Sequence, residues 1–297
     1  MVTTGSEGTY DLPEPGAARV DLHLHSTCSD GLSRPAEVVD AAQESGLLAI
    51  ALTDHDTVAG IAEARQRAER LDLAFVPGIE FSCHDETGST HLLGYFIDPQ
   101  NGGLLECLGA IQADRLNRAE AIVAKLNGLG LEVTFEAVLA QAAPSRLIAR
   151  PHIARALVEG GWVKSYGEAF ARFLAAGQPA YVPTLRISPA EGIARIQAAG
   201  GLAVLAHPGL THGEQAIRRL AAAGLDGLET LHPEHGPCEV RKLRRLAAEL
   251  DLLETGGSDW HGRSDRRRGQ LASQAVPYEW YLKLSQAAER RRLGIRG

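Results

Sequence analysis

The apolar residues of this chain fall into short runs, and stretches with helical spacing separate them. Runs of this length between turn residues are typical of buried strands. The alternation of strands and helices along the chain predicts an α/β fold. We expect seven strands, at residues 19–22, 48–52, 74–76, 92–96, 201–206, 227–230 and 252–255.

Capping signals place several helices between these strands. One helix is expected to begin near Ser33 and to stop at Gly46. Another begins after Ser188, which has the spacing of a capping box with Glu191. Two further helices are predicted, at residues 212–224 and 238–250.

Residues 102–185 interrupt this alternation, because they contain several helical patterns and no convincing strand. Within them, apolar residues recur at the spacing of one helix face, namely Ala119, Ile122, Val123 and Leu126. We therefore expect a helical insertion at 102–185 that covers the active site. Residues 1–17 are rich in Gly, Thr, Glu and Pro and are expected to form a disordered leader.

The composition changes this picture little. The 297 residues are 44% hydrophobic and 23% charged, as in ordinary globular proteins. The formal net charge of −7 argues against a broadly basic surface that coats nucleic acid. No apolar run approaches the roughly 20 residues that cross a bilayer, so no membrane contact is expected. No obligate protein partner is evident.

The cysteines indicate a reducing compartment. Cys28, Cys83, Cys107 and Cys238 are widely spaced and form no CxxC pair. The N-terminal residues show no signal-peptide pattern. We therefore expect reduced thiols and a cytoplasmic protein.

Side chains that bind metal ions recur beside the predicted strands. In a parallel barrel, side chains just past the strand ends converge on one mouth. His23 and His25 face the same side of a strand, and Asp259 and His261 do so if their segment is extended. A single HxH pair or a single glutamate is weak evidence, but six such strand ends together predict one metal site. The candidate ligands are His23, His25, Asp30, His55, Glu80, His91, His207, Asp259 and His261.

The segments that carry these residues resemble a known family. HLHSTCSDG, TDHDT, GIEFS, HLLGY, AHPG and SDWHG are similar, in this order, to motifs of the PHP (polymerase and histidinol phosphatase) superfamily. The resemblance runs from about Val20 to His261. It implies a distorted (β/α)7 barrel, formed here by residues 18–101 and 186–297, with the helical insertion between them.

The resemblance also implies a cofactor of up to three divalent ions, which imidazole and carboxylate ligands restrict to Mn²⁺, Zn²⁺ or Fe²⁺. The first ion would be held by His23, His25, Glu80 and Asp259. The second would share Glu80 and add His91 and His207. The third would use Asp30, His55 and His261. Of these residues, we expect the catalytic ones to be Glu80, Asp259 and His207.

The expected reaction is hydrolysis of phosphate esters by metal-activated hydroxide. No protein nucleophile is expected, and Ser258 beside Asp259 lacks the GxSxG elbow of a serine hydrolase. The strings RPHIA and LHPEH make the chain similar to the branch of 3′,5′-nucleotide bisphosphate phosphatases and a 5′→3′ exoribonuclease. The implied substrate is a small phosphorylated molecule: a 3′,5′-bisphosphonucleotide, an AMP-like mononucleotide or a short 5′-phosphorylated RNA.

Five residues are candidates for substrate binding: Arg118, Arg150, His152, His232 and His235. Arg150 and His152 lie at a predicted helix start, whose backbone N–H groups would complete a phosphate clamp. Arg118 would either join this clamp or lie on a solvated helix face. Leu231 stands where the family often has an aromatic residue, so base binding could be weaker or differently arranged.

The sequence leaves alternative interpretations open for some residues and for the function. Asp54 and Asp56 either orient imidazoles or cap the following helix. His84 is expected to be solvated, and His212 is given no role. The alternative functions are a phosphatase of a non-nucleotide metabolite such as histidinol phosphate, and a non-catalytic metal-stabilised PHP module. Asp30 and the RPHIA string weigh against the first, and the complete ligand set weighs against the second.

Overall fold

The structure is a computed structural model that describes residues 19–85, 88–142, 148–262, 270–274 and 276–295. The expected leader at 1–17 lies outside these residues. The helices of the described chain are α1 (Pro35–Glu44), α2 (Ile61–Arg70), α3 (Gly102–Gly128), α4 (Phe135–Ala142), α5 (Arg150–Glu159), α6 (Tyr166–Ala169), a π-helical turn (Phe170–Leu174), α7 (Pro189–Ala198), α8 (Pro208–Thr211), α9 (Glu214–Ala222), α10 (Pro237–Glu249) and α11 (Tyr278–Arg292).

One curled sheet forms the centre of the fold. Its strands are β1 (Arg19–Leu24), β2 (Ala49–Leu52), β3 (Ala74–Asp85), β4 (Gly88–Tyr95), β5 (Leu202–Leu205), β6 (Gly227–Leu231), β7 (Leu253–Gly256) and β8 (Val276–Pro277). They follow the order β7-β6-β5-β4-β3-β2-β1-β8. The backbone N–H of His25 after β1 donates to the carbonyl of Trp260 after β7, at 3.0 Å. The sheet is therefore a nearly closed barrel, which confirms the predicted α/β fold class.

All seven predicted strands are present, but two of them are much longer than predicted. Strands β3 and β4 form an antiparallel hairpin in which Ser82 lies opposite His91. Glu80 therefore lies within β3 rather than at its end, and His91 lies within β4 rather than before it. No helix connects β3 to β4, so the chain returns antiparallel instead of crossing over. The outer half of the hairpin is polar, so the pattern of apolar runs does not predict it.

The predicted helix signals are confirmed where they were strongest. The Ser188 hydroxyl accepts the N–H of Glu191 at 3.3 Å, and the Glu191 carboxylate accepts the N–H of Ser188 at 2.8 Å. This capping box begins α7 at Pro189. Helix α1 ends just before Gly46, whose φ of +70° is the left-handed conformation that often ends helices.

Helices α3 to α6 lie in the chain between β4 and β5 and have an apolar core of their own. The predicted stripe on α3 faces this core, because Ile122 and Leu126 are buried against α4 and α5 residues such as Val138 and Leu157. A separate set of apolar residues packs inside and around the barrel. The described part of 102–185 contains helices and no strand, as the sequence pattern predicts.

Candidate metal centre

The nine candidate metal ligands meet at one mouth of the barrel. Each has a ring nitrogen or carboxylate oxygen within 3.2 Å of another member of the set. They come from β1, β3, β4 and the loops that follow β1, β2, β5 and β7. Residues up to more than two hundred positions apart in sequence thus share one pocket, as barrel geometry predicts.

Glu80 lies at the centre of this group and is 1% exposed. Its Oε2 is 3.1 Å from Nε2 of His23 and 3.2 Å from Nε2 of His25. Its Oε1 is 2.7 Å from Nδ1 of His91 and 3.1 Å from Nε2 of His207. Nδ1 of His55 also lies 3.2 Å from Oε2, so the two oxygens of one buried carboxylate face different sets of imidazoles, and each oxygen could hold a different ion.

One group of four residues has the spacing that a bound cation requires: His23, His25, Glu80 and Asp259. Nε2 of His23 and of His25 lie 3.4 Å and 3.1 Å from Oδ1 of Asp259. Ligand atoms that each lie about 2.1 Å from one ion are separated by roughly 3.0–3.4 Å in octahedral or tetrahedral geometry. His25 is fully buried, yet neither of its ring nitrogens makes a hydrogen bond with the described residues. A cation would satisfy these lone pairs, since buried polar atoms seldom stay unpaired.

The other two groups are looser. His261 Nε2 lies 3.1 Å from Oδ1 of Asp30, while Nδ1 of His25 and Nε2 of His55 are 3.8 Å and 3.9 Å from the same oxygen. His25 therefore faces this group as well as the first. Nδ1 of His55 also lies 3.2 Å from Glu80 and joins the group of Glu80 and His91. The ligand sets overlap more than the sequence resemblance implies.

Charges in the pocket favour cations. Burial alone would raise carboxyl pKa values, but the surrounding imidazoles hold the pKa of Glu80 and of Asp259 well below its usual range. Burial lowers the pKa of His55 to about 4, which leaves its ring neutral. Burial also opposes charge on His25, but Glu80 and Asp259 raise its pKa to about 9. The carboxylates of Glu80 and Asp259 therefore stay ionised although they are buried, and a divalent cation would neutralise their charge.

Two of the nine candidate ligands have a strained backbone. His207 and Asp259 have φ values of +31° and +50°, a left-handed region that side chains other than glycine seldom adopt. The chain is therefore not extended at Asp259, although the side chains of Asp259 and His261 both reach the pocket. The His261 ring is oriented instead by its Nδ1–H, which donates to the carbonyl of Asp259 at 2.8 Å.

Comparison with known proteins agrees with this geometry. Residues 21–174 match the family model described as PHP domain. The chain is 35% identical over 252 residues to a 5′-3′ exoribonuclease of Haemophilus influenzae. The aligned residues cover 82% of this chain and 90% of that protein. The chain belongs to the PHP family. This confirms the resemblance seen in the sequence.

Two other relatives of this PHP protein are informative. A 3′,5′-nucleoside bisphosphate phosphatase of Chromobacterium violaceum is 38% identical over 165 residues, or 56% of this chain and 58% of that protein. A solved structure from Bifidobacterium adolescentis, described as a metal-dependent phosphoesterase, superposes with a TM-score of 0.78 at 35% identity. It covers 91% of this chain and 96% of its own. These similarities and the ligand cluster support the use of divalent metal ions.

Beside the ligands, the PHP barrel opens into a cleft of about 500 Å³. Its walls carry His55, Glu80, His91, His207 and Asp259 together with Leu210, His232, Pro233, Glu234 and Ser258. A second cavity of about 180 Å³ lies between the barrel and the insertion and shares His91 with the cleft. Arg115, Arg118 and Arg150 line this second cavity. The cluster of imidazoles and carboxylates thus adjoins a pocket lined by three arginines and Asp114.

The structure brings Arg118 and Arg150 together. Nε of Arg118 donates to the carbonyl of Val182 at 2.8 Å, so the side chain is anchored rather than solvated. Burial and the nearby charge of Arg150 lower the pKa of Arg118. The Arg150 guanidinium lies 5.8 Å and 5.9 Å from the ring centres of Phe170 and Tyr181. Two like charges held side by side could hold an anion between them.

His152 lies at the start of α5, and its Nδ1 accepts the N–H of Ala149 at 3.0 Å. Nε2 must then carry the ring proton, since a neutral imidazole has one donor and one acceptor. Burial, followed by the charge of Arg155, lowers the pKa of His152 to about 4. His152 is therefore a neutral hydrogen-bond donor rather than a cation.

His232 and His235 differ in their surroundings. His232 lines the cleft, and its Nδ1 accepts the N–H of Glu234 at 3.2 Å. Its buried Nε2 makes no hydrogen bond with the described residues and lies 3.7 Å from Oδ2 of Asp259. His235 uses both nitrogens on the backbone, at 3.1 Å from Thr230 O and 3.1 Å from Gly209 N. His232 therefore lies in the wall of the cleft, and His235 is not among its lining residues.

Leu231 lies in the barrel core with Val204 and Ala206 and is 6% exposed. A side chain at this position cannot stack on a base, so the absence of an aromatic residue there does not bear on base binding. His84 lines the second cavity and is half-buried rather than solvated. His212 Nε2 lies 2.9 Å from the Thr90 hydroxyl.

In the part of the chain that the structure describes, Asp54 and Asp56 neither orient an imidazole nor cap the following helix. Asp54 accepts the N–H and the hydroxyl of Ser26 at 2.7 Å and 2.6 Å and the hydroxyl of Ser29 at 2.6 Å. It fixes the loop that carries Asp30. Asp56 accepts the N–H of Ser82 at 2.7 Å and binds the guanidinium of Arg115.

Glu229 is not among the residues predicted from the sequence; it lies in the middle of β6 and is fully buried. Its carboxylate contacts His23 and the backbone of His207. A lone carboxylate inside the apolar strand Gly227–Leu231 was the available signal, because an unpaired charge is rarely buried. Among the described helices of this PHP chain, none is both long and apolar enough to cross a bilayer.

Proposed function

We propose that this PHP protein is a metal-dependent phosphoesterase that hydrolyses phosphate esters of nucleotides. The substrates would be 3′,5′-bisphosphonucleotides, AMP-like mononucleotides or short 5′-phosphorylated RNA. The observation that carries the proposal is the adjacency of the ligand cluster and the arginine pocket, which share His91. One phosphate would bind at the cluster and a second at Arg118 and Arg150.

We assign the metal sites to the nine residues named from the sequence, with Glu80, Asp259 and His207 nearest to the chemistry. Up to three ions of Mn²⁺, Zn²⁺ or Fe²⁺ would be held there. When bound, such ions neutralise phosphoryl oxygens and lower the pKa of water. The mixed nitrogen and oxygen donors support this choice over Mg²⁺ or Ca²⁺.

The side chains around the cleft would hold the substrate. Arg118 and Arg150 would bind the second phosphate, and His152, which follows the lining residue Pro151 at the N-terminus of α5, would offer its Nε2–H as a further donor. Leu210 and Pro233 form an apolar wall of the cleft that a nucleoside would contact. His232 lines the cleft, and its Nε2–H would donate a hydrogen bond to the leaving oxygen.

We also propose that the helical insertion at 102–185 covers the active site of a barrel formed by 18–101 and 186–297. The contribution of Arg115, Arg118 and Arg150 to the second cavity supports this division. The proposed location is the cytoplasm, which four unpaired cysteines support.

The test is a substrate panel with the purified protein loaded with Mn²⁺. Phosphate release is measured from adenosine 3′,5′-bisphosphate, AMP and histidinol phosphate, and release of mononucleotides or phosphate is measured from a short 5′-phosphorylated RNA. We expect hydrolysis of at least one nucleotide substrate and at least a thousandfold loss in Glu80→Gln, with lower metal content. Glu254→Gln is the matched control, because its carboxylate also accepts two hydrogen bonds but lies outside the cluster.

Activity on histidinol phosphate alone would overturn the nucleotide assignment. Unchanged turnover in Glu80→Gln would overturn the assignment of the metal site. A wild-type protein that binds Mn²⁺ but hydrolyses none of these esters would refute the phosphoesterase proposal itself.

A further inference from the structure

Glu229 is a buried carboxylate that the proposed chemistry does not use. It lies on β6 with no exposed surface. A buried carboxylate is costly unless its oxygens are hydrogen-bonded. Both of its oxygens have partners, and both partners belong to proposed metal ligands.

The first partner is the imidazole of His23 on β1. Its Nδ1 lies 2.9 Å from Oε1 of Glu229, in a contact that joins residues 206 positions apart. An ionised carboxylate can only accept, so Nδ1 carries the proton. The lone pair of the neutral ring is then on Nε2, which faces Glu80 and Asp259 at 3.1 Å and 3.4 Å. Glu229 thus selects the tautomer that can bind a cation.

The second partner is the backbone of His207 in the loop after β5. Its N–H donates to Oε2 of Glu229 at 2.7 Å. His207 has a strained φ of +31° and precedes the four-residue helix α8. Strained backbone persists only where neighbouring groups hold it. The hydrogen bond to Glu229 is such a restraint, and it turns Nε2 of His207 towards Glu80, 3.1 Å away.

We propose that Glu229 is a positioning residue whose single carboxylate aligns His23 and His207, and so couples the first and second metal positions through one hydrogen-bonded group. This inference rests on the proposed function, because it takes both histidines as ligands. It concerns a residue that touches neither substrate nor metal.

A purely structural role is the competing explanation, since any buried double hydrogen bond also stabilises the barrel. The two roles differ in one respect. A positioning role requires that metal affinity falls in a variant whose metal-free fold is intact. Carboxylates behind ligating imidazoles change metal affinity by about 10–100-fold when they are replaced.

Glu229→Gln is the sharpest variant, because it keeps the shape and removes one of two acceptors. Its amide oxygen can serve only one partner, and the NH₂ group then meets the N–H of the other. The matched control is Glu254→Gln on the neighbouring strand β7. Glu254 also accepts two hydrogen bonds, from Thr230 Oγ1 at 3.0 Å and Arg244 Nε at 2.9 Å.

Metal-free wild type, Glu229→Gln and Glu254→Gln are titrated with Mn²⁺ by calorimetry, and their metal-free thermal unfolding is compared. We expect a 10–100-fold weaker affinity in Glu229→Gln and a change of less than threefold in Glu254→Gln. Wild-type affinity and stoichiometry in a folded Glu229→Gln protein would overturn the inference and leave the proposed function standing. Failure of the wild type to bind Mn²⁺ would overturn both.

A measurement on the wild-type protein covers the case in which Glu229→Gln does not fold. The protein is labelled with ¹⁵N-histidine and loaded with ¹¹³Cd²⁺, and the His23 signals are assigned with a His23→Gln variant. We expect coupling of His23 to cadmium through Nε2 with a proton on Nδ1. Coupling through Nδ1 would refute the role of Glu229.

Discussion

Arg115 of the insertion binds Asp56 of the barrel, the residue directly after the proposed ligand His55. The Asp56 carboxylate is fully buried, and its other oxygen accepts the N–H of Ser82 at 2.7 Å. Ser82 lies two residues beyond Glu80 on β3. One ion pair therefore connects α3 to both chain segments that carry these ligands, and it does so beside the arginine pocket.

Replacement of Arg115 by Met should destabilise the protein and impair catalysis together. Removal of one partner from a buried ion pair leaves an uncompensated charge, which typically costs about 3–5 kcal/mol. We expect a lower free energy of unfolding in urea and a higher KM for bisphosphorylated substrates. The double variant Asp56→Asn, Arg115→Met should recover part of the lost stability.

The control for this ion pair is Arg218→Met on α9, which removes an exposed arginine paired with Glu214 and Glu249. Its unfolding transition and kinetics should match the wild type. If Arg115→Met unfolds and turns over like Arg218→Met, the contact with Asp56 does not connect the insertion to the site.

Arg118 should distinguish substrates by their number of phosphates. Hydrogen bonds to charged groups contribute about 1.5–3 kcal/mol, or roughly 10–100-fold in binding. We expect Arg118→Met to raise KM for adenosine 3′,5′-bisphosphate by this factor and KM for AMP by less than threefold. Arg172→Met, an exposed arginine of the same insertion paired with Glu168, is the control. Equal effects on both substrates would contradict a second-phosphate site.

His152 should make the protein sensitive to acid. Its pKa is about 4 in the fold and 6.5 in the unfolded chain, so between these values the unfolded state binds the proton more tightly. Its contribution to stability is present above pH 6.5 and is lost as pH falls towards 4. His152→Asn keeps an acceptor for Ala149 N–H and removes the titrating ring. Between pH 7, 6 and 5 the unfolding temperature should fall less in this variant than in the wild type. An equal fall in both proteins would show that His152 does not cause the acid sensitivity.

His232 and His235 should respond differently to the same substitution. His232→Asn keeps an acceptor for Glu234 N–H but removes the Nε2 donor at the cleft, so kcat should fall roughly 10–100-fold, as for the loss of a hydrogen bond to a charged group. The fall should be smallest for a substrate with a good leaving group, such as 4-nitrophenyl phosphate. His235→Asn loses the acceptor for Gly209 N–H and should chiefly lower the unfolding temperature. If His235→Asn lowered kcat strongly and His232→Asn lowered only the unfolding temperature, the roles of the two histidines would be reversed.

Local sequence was sufficient for much of the fold. Apolar runs predicted all seven main strands, and the Ser188 and Glu191 capping box predicted the start of α7. These signals act between residues within a few positions of each other, so they can be read from the chain directly. The two-residue strand β8 and the polar half of the β3–β4 hairpin carry no such local pattern and were missed.

The motifs also determined which residue types gather at the mouth, because a barrel brings successive strand ends to one place. The atoms that face each other were decided only by the tertiary structure. Barrel closure sets the contact between Glu229 and His23 across 206 positions. Packing of α3 on the barrel joins Arg115 to Asp56, and a left-handed turn at Asp259 aims two side chains at one pocket. The sequence specifies residue types and spacing, but the directions of side chains come from long-range packing and backbone strain.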